Sequence, residues 1–401
     1  MAALNTCPPL ARQSVLEAAT RIAGHVHRTP IITSRYIDNV ASTPQTTEDL
    51  QGTEWEGREP ARPRVRIFFK CENLQRVGAF KPRGAFNALL RYMQEDRATT
   101  NSPQEDNLPR KSVRVVTHSS GNHAQAVALA AGELGLQVSV VMPSISTPSK
   151  IAATRGYGAE VHFSGPTAQE RQAVVDVLMA DTTFDNVFVP PYNHPDTLLG
   201  QGTIGLEVQD QVPTLLKSSC VRGENGTTTD AAPTSPDDQR LHAIIAPCGG
   251  GGMLSGIALS CQGTGIKVFG AEPSFQGADD CRRGLLAHQH IDMVRSLTIA
   301  DGLRTSVGPI PWSVISDPTL VAGVYAVTED QIRRALRMVF ERLKIVIEPS
   351  SAVPLAVILY NEDFRKVIEK EVESSGPWNL GLVVSGGNTT PEALAQILSA
   401  R

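Results

Sequence analysis

Ala243-Ile244-Ile245-Ala246-Pro247-Cys248-Gly249-Gly250-Gly251-Gly252-Met253-Leu254 is the stretch whose reading decides the fold class. A short apolar, β-rich run covers Ala243–Ala246, Pro247-Cys248 and four glycines follow, and Met253–Cys261 returns at helical spacing. A strand that turns through glycines straight into a helix is one joint of an alternating α/β sheet. Four consecutive glycines also let backbone amides converge on a phosphate, because no Cβ stands in the way. The loop lacks the lysine of a nucleotide P-loop and is not G-x-G-x-x-G, so a nucleotide reading is weak. A flexible linker could share this composition, but the flanking strand and helix argue against one.

Outward from that joint, the same alternation recurs. β-rich apolar runs occur at Val65–Lys70, Val113–Thr117, Val138–Met142, Glu160–Phe163, Val187–Val189, Lys267–Ala271 and Leu380–Ser385. Helical patterns cover Asn122–Leu134, Thr167–Met179, Gly202–Val212 and Glu329–Leu343, and a first helix over Gln13–His27 stops before Pro30. Repeated strand and helix predict an α/β fold with parallel sheets flanked by helices. Three polar stretches break the pattern: 42–63, 217–239 and the shorter 95–111. Long loops cost little extra closure entropy, so these read as surface insertions, the first two expected to be poorly ordered.

Composition narrows the function classes. With 41% hydrophobic and 19% charged residues and a formal net charge of −4, the 401-residue chain is ordinary globular protein. No basic run suggests nucleic acid or an anionic membrane as the main partner. No apolar run reaches the ~18 residues of a membrane span. The N-terminus has no secretory pattern, and Ser399-Ala400-Arg401 does not match a peroxisomal address. Cys7, Cys71, Cys220, Cys248, Cys261 and Cys281 form no C-x-x-C pair; they read as reduced thiols and predict a cytoplasmic setting.

Three further motifs carry chemistry. Gly78-Ala79-Phe80-Lys81-Pro82-Arg83-Gly84 sets a lysine in apolar surroundings, with a second, Lys70, just upstream. A lysine partly withdrawn from water has a lowered pKa and becomes an amine nucleophile. Taken alone, Lys81 reads more readily as a snorkelling helix cap. Thr117-His118-Ser119-Ser120-Gly121-Asn122-His123 lies between a strand and a helix, where hydroxyls and free N–H groups suit a carboxylate. An ordinary N-cap needs fewer polar residues. Ser385-Gly386-Gly387-Asn388 ends the last strand, and its serine could meet a ring nitrogen, although alone it is a turn.

In this order the four motifs resemble the fold-type II pyridoxal-phosphate (PLP) enzymes, a tryptophan synthase beta-like fold. The likeness is greatest to serine racemases and serine/threonine dehydratases. His27-Arg28-Thr29-Pro30, Gly200-Gln201-Gly202-Thr203, Ala300-Asp301-Gly302 and Glu348-Pro349-Ser350-Ser351-Ala352 extend the resemblance over nearly the whole chain. It implies a large PLP-binding domain (1–92 and 188–401), a small mobile domain (93–187) and a homodimer. By that likeness Lys81 carries the cofactor as an internal aldimine, with Phe80 beside the ring. Asn122 meets the ring hydroxyl, Gly249, Gly250, Gly251, Gly252 and Met253 hold the phosphate, and Ser385 meets the pyridine nitrogen. Ser119, Ser120, Asn122 and His123 surround the substrate carboxylate, and Arg171 reaches it on domain closure. Lys81 and Ser120 serve opposite faces of Cα, so one site can racemise an amino acid or eliminate its β-hydroxyl.

Glu272-Pro273-Ser274-Phe275-Gln276-Gly277-Ala278-Asp279-Asp280 resembles the family's cation loop. Glu272, Asp280 and the carbonyl of Ala278 are the implied oxygen ligands for Mg²⁺ or Ca²⁺. The loop departs from the family by about two extra residues. After Asn388 thirteen residues remain, too few for the regulatory domain of biosynthetic threonine deaminases. The expected substrate is a small hydroxy-amino acid, foremost serine. The motifs do not separate this from a threonine or 3-hydroxyaspartate ammonia-lyase. A non-catalytic ligand-binding relative is disfavoured by the retained lysine and glycines.

Overall fold

The structure is a computed structural model describing residues 6–100, 111–119, 121–146, 148–221, 239–372 and 376–399. Ten strands run β1 (Ile31–Ile32), β2 (Val65–Cys71), β3 (Ser112–His118), β4 (Gln137–Pro143), β5 (Glu160–Ser164), β6 (Phe184–Phe188), β7 (Ala243–Pro247), β8 (Lys267–Pro273), β9 (Gly323–Val327) and β10 (Trp378–Val384). They form two sheets, in the orders β1-β2-β10-β7-β8-β9 and β5-β4-β3-β6. All pairings are parallel except β1 with β2.

The order of the larger sheet positions the chemistry. β10, the last strand in sequence, pairs with β2 on one side and β7 on the other. Parallel neighbours share a carboxyl edge, so the lysine segment after β2, Ser385 after β10 and the glycine loop after β7 emerge together. β8 follows β7, which brings the Glu272 loop to the same edge. Ligands of open parallel sheets bind at such edges.

The central strands β7 and β10 are buried at every residue because helices cover both faces of the sheet. Helix Pro349–Tyr360 is buried from Pro349 to Leu359, and Phe269, Phe364 and Trp378 pack edge to face in the same core. No described helix is long and apolar enough to cross a membrane.

Several elements differ from their sequence reading. β9 and helix Pro349–Tyr360 went unread, the latter because an all-round apolar run carries no period. β6 lies at 184–188 rather than 187–189, and the 202–212 helix spans Pro195–Val221. Stretch 42–63, expected to be poorly ordered, is folded. Thr46 and Asp49 close a capping box on helix Thr47–Leu50, and Leu50, Trp55 and Ala61 are buried anchors among the polar residues. Of 217–239, helix runs to Val221, and 222–238 lies outside the described residues. Likewise helix Pro82–Thr100 enters 95–111, while 101–110 lies outside the described residues.

A buried ionic network braces the lysine helix. Arg83 Nε donates to Glu72 at 2.8 Å and its Nη1 to Glu207 at 2.7 Å, while Lys70 Nζ donates to Glu207 at 2.5 Å and Gln211 at 2.8 Å. Thr29 Oγ1 completes Glu72 at 2.6 Å. Removing one partner of a buried pair strands the other charge, at a cost of about 3–5 kcal/mol. Glu72→Ala is therefore expected to destabilise by about that amount. A denaturant midpoint equal to wild type would show that the network carries no net stability.

Candidate active site

After β2 the chain passes through two short turns, with Val77 and Gly78 at φ 55 and 70. The left-handed glycine is needed twice over, since a Cβ there would stand 2.7 Å from Asn388 Oδ1. Ala79 bridges Gly386, Phe80 N–H donates to Ser385 O at 3.1 Å, and Gly387 N–H donates to Gly78 O at 2.9 Å. The lysine segment is thus stitched to the end of β10. Pro82 opens helix Pro82–Thr100 and leaves Lys81 at its mouth.

Lys81 is half-buried, its Nζ donating to Pro191 O at 2.7 Å and lying 5.0 Å from the Phe80 ring centre. Packing lowers its pKa to about 8, against the opposing pull of Glu348. Lys70, the other lysine singled out, is fully buried with its three donors spent on Thr29 O, Glu207 and Gln211. The structure separates two lysines that sequence left together: Lys70 is braced by three acceptors, while Lys81 donates to Pro191 O, next to the Tyr192 that packs on the glycine loop.

All four glycines of the loop are sterically required. A Cβ on Gly249 would come 3.0 Å from Gly302 O and one on Gly250 2.4 Å from the Tyr192 ring. One on Gly251 would stand 2.8 Å from Pro311 Cβ, and one on Gly252 2.9 Å from Tyr192 Cβ. Gly251, at φ 83, caps helix Gly252–Cys261. The first N–H groups of a helix have no intrahelical acceptor, so Gly252 and Met253 offer donors and positive dipole to an anion. A bare-backbone cradle at a helix start fits a phosphate.

Ser385 Oγ lies 2.9 Å from Ser351 Oγ, which also contacts Gly386 O and N–H, both at 2.8 Å. Each hydroxyl has one proton. If Ser351 gives its proton to Gly386 O, Ser385 donates to Ser351 and offers lone pairs; if to Ser385, Ser385 offers its proton. The pair can meet a ring nitrogen in either state.

From the smaller sheet, β3 delivers Ser119, whose N–H donates to Val141 O at 3.1 Å and whose Oγ accepts from Gly121 N–H at 3.2 Å. Ser120 lies outside the described residues. Asn122 opens helix Asn122–Glu133 and ties it to the larger sheet: its Nδ2 donates to Glu348 at 3.1 Å, and its Oδ1 accepts from Asn388 at 2.8 Å. His123 is buried, with Nε2 bonded to Val189 O at 3.0 Å. A carbonyl only accepts, so Nε2 carries the proton. Burial first, then Lys81, pushes the His123 pKa down to about 3, and Nδ1 is a buried acceptor with no partner among the described residues. The neutral side chain offers no donor on that side. Arg171 donates to Pro166 O at 3.1 Å; its charge reaches His118 and Tyr192.

Glu348, Asn388 and Tyr192 went unassigned from sequence. Glu348 and Asn388 stood inside quoted motifs, but nothing local shows that they meet Asn122. Burial, then Asp301, pushes the Glu348 pKa up to about 7 from an ordinary 4.5. Folded protein therefore keeps a proton that the unfolded chain loses above about pH 4.5. Stability falls as pH rises from there to about 7, by up to about 1.4 kcal/mol per pH unit, and this contribution is level above. Glu348→Gln should flatten that slope in melts of cofactor-free protein. A wild-type slope retained in the variant would assign it to other groups.

At the β8 edge, Glu272 is fully buried and accepts from Cys281 N–H at 3.2 Å and Arg282 N–H at 2.9 Å. Asp280 accepts from Val307 N–H at 3.0 Å, and burial raises its pKa to about 6. Between Glu272 and Asp280 the loop makes a short turn, Phe275–Gly277, with Gln276 and Gly277 at φ 50 and 78, and Ala278 is buried after it. Glu272 and Asp280 are both buried at the ends of this loop.

A strand-end lysine, a glycine cradle and a serine at the β10 edge together define a cofactor enzyme of the PLP type. The family model described as pyridoxal-phosphate dependent enzyme matches residues 57–372, and the chain belongs to that family. Within it, the chain is 34% identical over 377 residues to a serine racemase of Arabidopsis thaliana, covering 94% of this chain and 92% of the relative. The solved structure of maize serine racemase is 33% identical, with 96% of each chain covered and a TM-score of 0.73. A solved threonine deaminase from T.th. is 32% identical, with 95% of this chain and 99% of that one covered and a TM-score of 0.69.

Proposed function

We propose that this PLP enzyme racemises serine and, at the same site, dehydrates it to a keto acid and ammonia. The observation that carries the reading is the Lys81 amine, with its lowered pKa, bonded to Pro191 O next to Tyr192, which packs on the glycine loop. Similarity to serine racemases over nearly the whole chain supports the substrate.

Gly249 to Gly252 and Met253 hold the phosphate with backbone N–H groups. The Asn122 amide, which donates to both Glu348 oxygens at 3.3 and 3.1 Å, would turn a hydrogen to the ring hydroxyl. Phe80 lies beside the ring, and Ser385 meets its nitrogen. PLP, when bound, supplies the electron sink that makes the Cα hydrogen acidic. Lys81 moves the proton on one face of Cα, and Ser120 on the other. Ser119, Ser120, Asn122 and the N–H end of the His123 helix receive the substrate carboxylate. Arg171 reaches it when the small domain (93–187) closes on the large one.

Assaying both enantiomers of serine, threonine and 3-hydroxyaspartate, for the opposite enantiomer and for keto acid, tests this reading. Activity confined to threonine or 3-hydroxyaspartate would overturn it. A homodimer in the cytoplasm belongs to the same proposal.

Mg²⁺ or Ca²⁺ completes it, held by Glu272, Asp280 and the Ala278 carbonyl. Two buried carboxylates that form no ion pair among the described residues fit a hard cation. Chelator should lower the melting temperature and either ion restore it. Binding to the folded state alone stabilises by about 2.7 kcal/mol at a hundredfold excess over Kd. Melting curves that ignore chelator and metal would remove the ion from the mechanism.

A further inference from the structure

Cys248 and Cys281 come from separate parts of the chain and meet at one buried point. Cys248 follows β7 and donates its N–H to Ala271 O of β8 at 2.8 Å, which sets it beside Glu272. Cys281 lies in helix Asp280–Ala287, immediately after the cation loop. The two Sγ atoms and a Glu272 carboxylate oxygen all lie within 4.8 Å of one another, and all three residues are buried.

Among the described residues no Lys, Arg or His pairs with Glu272. The nearest arginines, Arg282 and Arg283, face Asp279 at 3.6 and 3.0 Å. Two thiols and a carboxyl group held by two backbone N–H groups therefore converge with no described basic side chain paired to them. The other such cluster, Cys7, His194 and Asp196, differs in this respect: Arg91 Nε already sits 2.5 Å from Asp196.

We propose that Cys248, Cys281 and Glu272 form a site for a thiophilic divalent cation of the Zn²⁺ class. Sulfur is a poor ligand for Mg²⁺ and Ca²⁺ and a good one for zinc. Tetrahedral zinc, with Zn–S about 2.3 Å and Zn–O about 2.0 Å, holds such ligand atoms roughly 3.5–3.8 Å apart. The observed spacing closes on an ion with shifts of about an ångström or less. Two thiol protons leave to solvent on binding, and Asp280 or a water fills the fourth position. Since zinc and the hard cation both require Glu272, each excludes the other. Cys248 directly precedes Gly249, so zinc also pins the start of the phosphate loop to the cation loop.

Equilibrium dialysis of reduced holoenzyme against Zn²⁺, read by elemental analysis, is expected to give one zinc per chain. Cys248→Ser and Cys281→Ser should each lose it, and excess Zn²⁺ should abolish the Mg²⁺ or Ca²⁺ effect on melting. Co²⁺ in place of zinc should give tetrahedral bands at the red end of the spectrum, absent from both variants. Should either serine variant misfold, Cys248→Ala and Cys281→Ala carry the same test. Wild-type protein without stoichiometric zinc overturns the site, as does zinc retained in every cysteine variant. The hard-cation reading stands or falls separately, on Mg²⁺ and Ca²⁺ melts of wild type without zinc.

Discussion

Lys81→Ala is expected to abolish turnover of every substrate while the protein still folds and binds PLP through the glycine loop. A positioned proton-transfer group alone contributes ~10²–10⁴-fold. Lys81 is proposed both to carry the cofactor and to move the proton, so its loss should exceed that range. Folding should survive because Lys81 is not part of the buried network of Arg83, Glu72, Lys70 and Glu207. Borohydride reduction and peptide mapping of wild type should place a pyridoxyl label on Lys81. A label on Lys70 or any other lysine would overturn the assignment. Lys70 is a demanding control, since freeing its amine would break its bonds to Glu207 and Gln211.

Ser120→Ala should separate the two reactions. Lys81 can still take the proton from one enantiomer of serine, so part of the elimination from that enantiomer should survive. Interconversion should fall by at least ~10²-fold, because nothing remains to deliver a proton to the opposite face. If Ser120 only binds the substrate carboxylate, racemisation and elimination fall together. That parallel loss, measured on both enantiomers, would refute the two-face arrangement. Neighbouring geometry supports the test: Ser119 and Gly121 are fixed by hydrogen bonds at the end of β3, and Asn122 by Glu348 and Asn388.

Much of this was legible in the chain itself. Strand-to-helix joints announce themselves by local composition, so the α/β class, most strands and the glycine loop follow from sequence. The ordered motifs were enough to indicate the PLP enzymes, a membership borne out by the family match. Local polarity misled at 42–63, where Leu50, Trp55 and Ala61 do the packing that the intervening polar residues conceal.

Sequence by itself determined which residue types stand at each strand end, because backbone geometry there depends on neighbours only a few positions away. Tertiary structure alone decided which strand ends meet. β10 enters between β2 and β7, which joins Lys81, Ser385 and the glycine loop across more than 300 residues. It also decided which lysine is locked in the ionic network and which stands beside Pro191, and that Glu348 bonds Asn122 from the other sheet. The pairing of Cys248 with Cys281 at Glu272 belongs to the same class of fact. Burial and charge partners set the pKa of Lys81, Glu348 and His123, and those partners are brought together only by long-range packing.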